Sequence, residues 1–348
     1  MDFSFILPFF PGGIPVIVIE TKGLRKSFQS PLKQPGVSGA VQHLIRPAYK
    51  EIVAVTDVDL SIEAGECVAY VGPNGAGKST TIKMLTGILL PTGGEVRVNG
   101  LHPYRERMRN AKQIGVVFGQ RTQLWWDIPV IESFTLLRDI YEVPGKTYRE
   151  NLGYFTEMLG LAEFLNQSAR RLSLGQRMRA DLAVALMHNP AVIFLDEPTI
   201  GLDVAVKERI REFLKAVNRE RGVTILLTSH DLGDIEDVCR RLIIIDMGRI
   251  IYDGSIQGLL DRYVKERSIR IIAGARIGRA GAARGLPAGV EIARAEDREL
   301  TVVFDRFRYT AKDVLEIVMR TVDVRDFQLE EPDIERVVKS VYEGRLEL

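Results

Sequence analysis

Cysteine is scarce in this chain: Cys67 and Cys239 are the only two in 348 residues, far apart and without metal-ligand spacing. That excludes a disulfide scaffold and fits a reducing compartment. An excess of one charge is missing too. Lysine and arginine number 47 against 46 aspartates and glutamates, a formal net charge of +1. Nothing in that balance marks nucleic acid as a partner. A continuous membrane-length apolar run is also lacking. Phe3 to Ile19 is strongly apolar, but Pro8, Pro11, Gly12, Gly13 and Pro15 interrupt it, whereas a spanning helix wants about 20 continuous residues. Asp2 replaces the basic start of a secretory signal, and no small-residue cleavage site follows. Residues 1–15 therefore read as an irregular N-terminal extension, and no later stretch could cross a bilayer. No internal repeat stands out.

What is present is ordinary globular material, 46% hydrophobic and 27% charged, long enough for one large and one small domain. Val16–Glu20 reads as a strand. Gln29–Tyr49, rich in Pro, Gly and Ser, reads as an inserted surface loop. Val53–Ile62, Glu66–Val71, Ile114–Phe118, Val192–Leu195, Val223–Thr228 and Leu242–Ile245 are further expected strands, several of them short apolar runs suited to a buried parallel sheet. Thr80–Leu89, Ile131–Leu165, Gly175–His188 and Val206–Arg221 carry helical patterns. Strands alternating with helices predict an α/β fold with a mainly parallel central sheet and a helical insert over about 121–188. Composition shifts after about Tyr263. There Arg270–Ile272, Val290–Ile292 and Leu300–Phe304 read as strands, Thr310–Arg320 and Asp333–Tyr342 as helices. The expected division is thus 1–15, 16–262 and a small α+β module over 263–348.

Chemistry concentrates in a few motifs. Gly72-Pro73-Asn74-Gly75-Ala76-Gly77-Lys78-Ser79, followed by Thr80, matches G-x-x-x-x-G-K-[ST] between an expected strand and helix, the context that pattern requires. Gly75 and Gly77 let the backbone curl so that successive N–H groups face one anion, and the helix N-terminus adds its dipole. Lys78 supplies a charge for the β- and γ-phosphates, and the Ser79 hydroxyl is a ligand for Mg2+. Val192 to Leu195 ends in two carboxylates. Asp196 is the expected Mg2+ holder, and Glu197 the group that polarises the attacking water. ATP and Mg2+ are the implied ligands.

Between these motifs, Leu172-Ser173-Leu174-Gly175-Gln176 resembles the LSGGQ signature of ATP-binding cassette (ABC) proteins, with Leu174 where the family usually has glycine. The resemblance covers about Val16 to Arg262. It implies a P-loop ABC cassette containing an antiparallel β part, and head-to-tail pairing of two copies, with Ser173, Gly175 and Gln176 covering ATP held by the partner's phosphate loop. Leu174 would either crowd the γ-phosphate or face the helical subdomain. Gln120 resembles the Q-loop glutamine that contacts Mg2+ and links to the helical subdomain; Gln123 lies nearby, but the spacing to Glu132 favours Gln120. Gly201-Leu202-Asp203 looks like the D-loop, placing Asp203 at the shared site. His230 resembles the switch histidine of the γ-phosphate. An aromatic ring usually stacks on adenine: Phe28 matches by its lead-in Leu24 to Ser27, Tyr49 by its distance to Ala54-Val55, and Tyr49 is slightly preferred.

The same resemblance implies an ATPase subunit at the cytoplasmic face of the inner or plasma membrane, working beneath separate transmembrane permease subunits. The tail from Val324-Arg325-Asp326-Phe327 through Glu331 to Val337 resembles that of drug- and polysaccharide-type exporter ATPases. Trp125 and Trp126 would either pack within the helical subdomain or meet the membrane subunits. The alternative is a soluble ABC ATPase that remodels a ribosome or nucleic acid. Such proteins usually carry two cassettes or a long coiled-coil insertion, and neither is seen here.

Overall fold

The computed structural model describes residues 16–31, 49–119, 121–229, 231–263, 266–276, 283, 285–330 and 337–339. The expected extension over 1–15, residues 32–48 of the expected loop, most of the helix expected from Asp333, and the candidates Gln120 and His230 lie outside the described residues. The chain divides into two compact units, Met1–Asp253 and Gly254–Leu348. That break comes earlier than the 262/263 boundary drawn from composition.

In the first unit the order begins β1 (Ile17–Pro31), β2 (Tyr49–Glu63), β3 (Cys67–Val71), α1 (Lys78–Leu85), β4 (Gly93–Val98), α2 (Arg107–Ala111) and β5 (Ile114–Phe118). β1 and β2 form an antiparallel ribbon that reaches Pro31 opposite Tyr49. The pairs Gln29↔Glu51 and Ser30↔Lys50 shorten the expected surface loop at both ends. Near the base of β2, buried Val58, Leu60 and Ile62 alternate with exposed Asp57, Asp59 and Ser61, so one face joins the core. β4 completes this three-stranded sheet in the order β2-β1-β4.

The helical insert follows as α3 (Val130–Ile140), α4 (Gly145–Leu159), a short 3-10 turn (Ala169–Arg171) and α5 (Leu174–Leu186). The mainly helical stretch expected over Ile131–Leu165 is made of two helices: Pro144 caps α4 in an extended conformation, and Gly160 ends it at φ 60°. Proline cannot continue the preceding helix, and glycine alone accepts the left-handed turn without strain. Then come β6 (Val192–Asp196), α6 (Val204–Arg221), β7 (Thr224–Thr228), α7 (Leu232–Val238), β8 (Arg241–Asp246) and β9 (Arg249–Ser255). The six-stranded sheet runs β5-β6-β7-β3-β8-β9, and β5 through β8 pair in parallel. Val192, Ile193, Phe194 and Leu195 are all fully buried, as a sheet covered on both faces demands. Met247 (φ 43°) and Gly248 (φ 79°) make the tight turn into edge strand β9. Val58 and Ile62 of the antiparallel sheet share one core with Val68, Ile82, Phe194 and Ile243. Each such side chain contributes about 1.5–3 kcal/mol by burial.

The second unit holds α8 (Ile256–Tyr263), β10 (Glu266–Ala273), β11 (Val290–Glu296), β12 (Glu299–Asp305), α9 (Ala311–Met319) and β13 (Val324–Glu330). Its strands form an antiparallel sheet, β11-β12-β10-β13. Val314 and Val318 of α9 pack with Ile269, Ile271, Val302 and Phe304. Thr310 and Asp313 cap α9 reciprocally, which sets its start at the expected place. Arg306 pairs with Asp261, tying α8 to this unit.

Candidate functional site

The phosphate loop joins β3 to α1 at the carboxyl end of the parallel sheet, where open α/β folds bind ligands. Its glycines have specific work. A Cβ on Gly72 would lie 2.3 Å from the Ile245 carbonyl, and one on Gly77 would lie 2.6 Å from the Ala54 carbonyl. Gly77 also caps α1 at φ 111°, with no side-chain cap. The first N–H groups of α1 are therefore offered to an anion. Lys78 is buried, and its Nζ donates to the carbonyls of Gly72 (2.6 Å) and Pro73 (3.1 Å). Burial lowers its pKa, while Glu197 and Asp196 act in the opposite direction. The ammonium thus feels both candidate carboxylates.

Those carboxylates are held by register. Phe118 of β5 lies opposite Asp196 of β6, which lies opposite Thr228 of β7. Thr228 Oγ1 donates to Asp196 Oδ1 at 2.7 Å. The Glu197 N–H donates to Thr228 O (3.1 Å) and Oγ1 (3.0 Å). Glu197 adopts φ 57°, a conformation that costs an L residue energy and redirects the chain at the strand end. The Gly119 N–H donates to Asp196 O at 2.8 Å, and a Cβ on Gly119 would lie 2.4 Å from Glu197 O. Thr228 and Gly119 were not singled out from sequence; only the pairing of strands reveals them.

Among the described residues no cluster of three or more His, Cys, Asp or Glu could hold a metal by itself. Mg2+ is commonly bound through one or two protein oxygens plus substrate phosphates. Ser79 at the start of α1 and Asp196 are oxygen donors of the right kind.

The signature segment is built differently. Ser173 caps α5: the Gln176 N–H donates to Ser173 Oγ (3.2 Å), and the Ser173 N–H donates to Gln176 Oε1 (2.9 Å). Gly175 is buried against Val206, where a Cβ would meet the valine at 3.2 Å. Leu174 is 44% exposed. Its Cδ2 lies 3.3 Å from where a Cβ on Gly201 would stand, so it rests beside the Gly201-Leu202-Asp203 segment. Asp203 caps α6 by accepting from the Val206 N–H at 3.0 Å.

The remaining candidates are spread out. Tyr49 and Phe28 are both exposed on the β1–β2 ribbon, and neither is a core residue. Lys26 Nζ stands 5.2 Å from the Phe28 ring centroid. Gln123 is engaged structurally, its Nε2 donating to Val116 O at 2.7 Å. Trp125 and Trp126 are 41% and 50% exposed. Arg177 lies over the Trp126 ring at 4.5 Å.

Phosphate loop, strand-end carboxylates and capped signature helix define a P-loop ATPase of the cassette type. The family model described as ABC transporter matches residues 55–200. The chain is 33% identical over 219 residues to the ABC transporter ATP-binding protein NatA of Bacillus subtilis (strain 168), covering 63% of this chain and 87% of that relative. It is 36% identical over 221 residues to Nod factor export ATP-binding protein I of Cupriavidus pinatubonensis, covering 63% and 67%. It is 35% identical over 215 residues to the methionine import ATP-binding protein MetN of Latilactobacillus sakei, covering 60% and 61%. A solved structure of a dimeric ATP-binding cassette in a post-hydrolysis state bound to ADP and Pi matches with TM-score 0.56 and 28% identity, covering 68% of this chain and 98% of that one. The chain belongs to the ABC transporter ATP-binding family and is an ATP-binding, ATP-hydrolysing cassette. Among the described residues no helix is long and apolar enough to cross a membrane.

Proposed function

We propose that this cassette powers an ABC exporter from the cytoplasmic face of the membrane, pairing head to tail with a second copy beneath separate permease subunits. The observation that carries the hydrolytic part is the convergence of Lys78, Asp196 and Glu197, which share one electrostatic neighbourhood at the sheet's carboxyl rim. The loop from Gly72 to Thr80 cradles the phosphates, and Lys78 exchanges the Gly72 and Pro73 carbonyls for phosphate oxygens. Ser79, Asp196 and Gln120 would hold Mg2+, which would supply charge neutralisation for the transferred phosphate. Glu197 polarises the attacking water, and His230 contacts the γ-phosphate. Ser173, Gly175, Gln176 and Asp203 complete the site on the partner's nucleotide, and Tyr49 stacks on adenine.

Export is supported by the Nod factor export relative and by the tail from Val324. The methionine import relative shows that the cassette alone does not fix direction. The near-neutral charge speaks against remodelling of nucleic acid. Glu197→Gln is expected to retain ATP binding and slow turnover by at least about a hundredfold, the scale of lost general-base catalysis. Steady-state ATPase near the parent rate would overturn the assignment. Direction has its own test. Genes for membrane subunits beside this one, without a solute-binding protein gene, fit export, and an adjoining solute-binding protein gene would argue for import.

A further inference from the structure

Asp181 is a carboxylate in the wrong company. It lies on α5 eight residues beyond Ser173, about 12 Å along the helix axis, within a run from Met178 to Leu186 that is buried throughout. It is itself only 3% exposed. Its Oδ1 accepts from Thr122 Oγ1 at 2.9 Å and from the Gln123 N–H at 2.8 Å. Burial pushes its carboxyl up to about 6, against the opposing pull of these two hydrogen bonds and of Arg177. Keeping such a group is costly, and a buried carboxylate is retained where its hydrogen bonds fix something.

What it fixes is the segment just after Gln120. Thr122 Oγ1 also accepts from the Leu124 N–H at 3.1 Å, closing a small turn. The Gln123 side chain reaches back to Val116 O at 2.7 Å. On the near side of Gln120, the Gly119 N–H is bound to the Asp196 carbonyl at 2.8 Å. The chain on either side of Gln120 is thus anchored, at Asp196 before it and at Asp181 after it. The second anchor belongs to the helix that Ser173 caps.

We propose that Asp181 is a positioning residue that locks the segment following Gln120 to the signature helix, so that nucleotide occupancy at the phosphate loop moves Ser173. The inference rests on the reading of Gln120 and Ser173 given under Proposed function. It places a residue between them that touches neither ATP nor the partner copy. Asn in place of Asp keeps an oxygen that accepts both hydrogen bonds; Ala leaves the Thr122 hydroxyl and the Gln123 N–H unpaired.

The test compares Asp181→Ala, Asp181→Asn and Thr122→Val in the full chain. Asp181→Ala is expected to lower kcat for ATP by at least about tenfold, the scale of a misplaced group, while ATP affinity by calorimetry stays within about twofold of the parent. Asp181→Asn should restore most of the turnover. In a Glu197→Gln background, ATP-induced dimerisation by gel filtration should be lost with Asp181→Ala and kept with Asp181→Asn. Normal turnover and dimerisation in folded Asp181→Ala would overturn the proposal, as would a loss of ATP affinity that matches the loss of turnover. If Asp181→Ala fails to fold, Thr122→Val decides: it should lower kcat severalfold without changing affinity, and parent-like turnover sinks the idea. Should Glu197→Gln alone turn over normally, the underlying reading fails; should it be inactive while Asp181→Ala is normal, only this inference does.

Discussion

The phosphate-loop rim and the helix capped by Ser173 are built on opposite plans. At the rim, Lys78 is buried and Asp196 is tied to Thr228 across paired strands. Ser173, Leu174 and Asp203 instead stand exposed at helix starts and bond mainly within their own turns. The rim's polar groups are tied to one another across paired strands. The signature end presents polar groups outward with its local hydrogen bonding already satisfied. Removing the phosphate-binding cation Lys78 from the rim should therefore damage binding, whereas removing a group from the signature end should damage turnover.

Lys78→Ala is the sharpest way to break that contrast. The loss of a charged donor to phosphate is expected to weaken ATP binding by at least about tenfold, and unchanged affinity by calorimetry would remove Lys78 from the site. Ser173→Ala comes next. It should leave ATP affinity intact, lower turnover severalfold, and cost about 1 kcal/mol through the lost cap, seen as a melting shift of roughly 2–4 °C. Ser173→Gly sharpens this, since glycine at the cap costs only a few tenths of a kcal/mol. Turnover restored by glycine would reduce Ser173 to a cap. Leu174→Gly should have the smallest effect. Leu174 is half exposed beside Gly201, so ATPase within about twofold of the parent is expected, with a stability loss under about 1 kcal/mol. A large gain in rate would instead mean that leucine obstructs closure.

Much of this site was legible in the sequence because its parts are local. A glycine-rich loop between strand and helix, and a hydrophobic strand ending in Asp196-Glu197, each declare their chemistry within a few residues. Ser173 and Gln176 are likewise a capping pair at fixed spacing. The partners that hold these groups could not be seen the same way. Thr228 reaches Asp196 only because β6 and β7 pair in one register, and Asp181 reaches Thr122 only because α5 packs beside the exit from β5. Pro144 and Gly160, by contrast, are local breakers within the mainly helical stretch Ile131–Leu165. The long β1–β2 ribbon escaped for another reason. Its outer part, where Ile52 and Val53 are exposed, buries no face and so leaves little alternation to read.

The hold of Lys78 on Gly72 and Pro73 has a thermodynamic consequence. The ammonium ties two carbonyls of the loop to the first residue of α1, so the loop is braced by its own lysine. ATP binding to such a loop should leave little chain to order. Its heat-capacity change should accordingly be small, set by the buried base rather than by a folding loop.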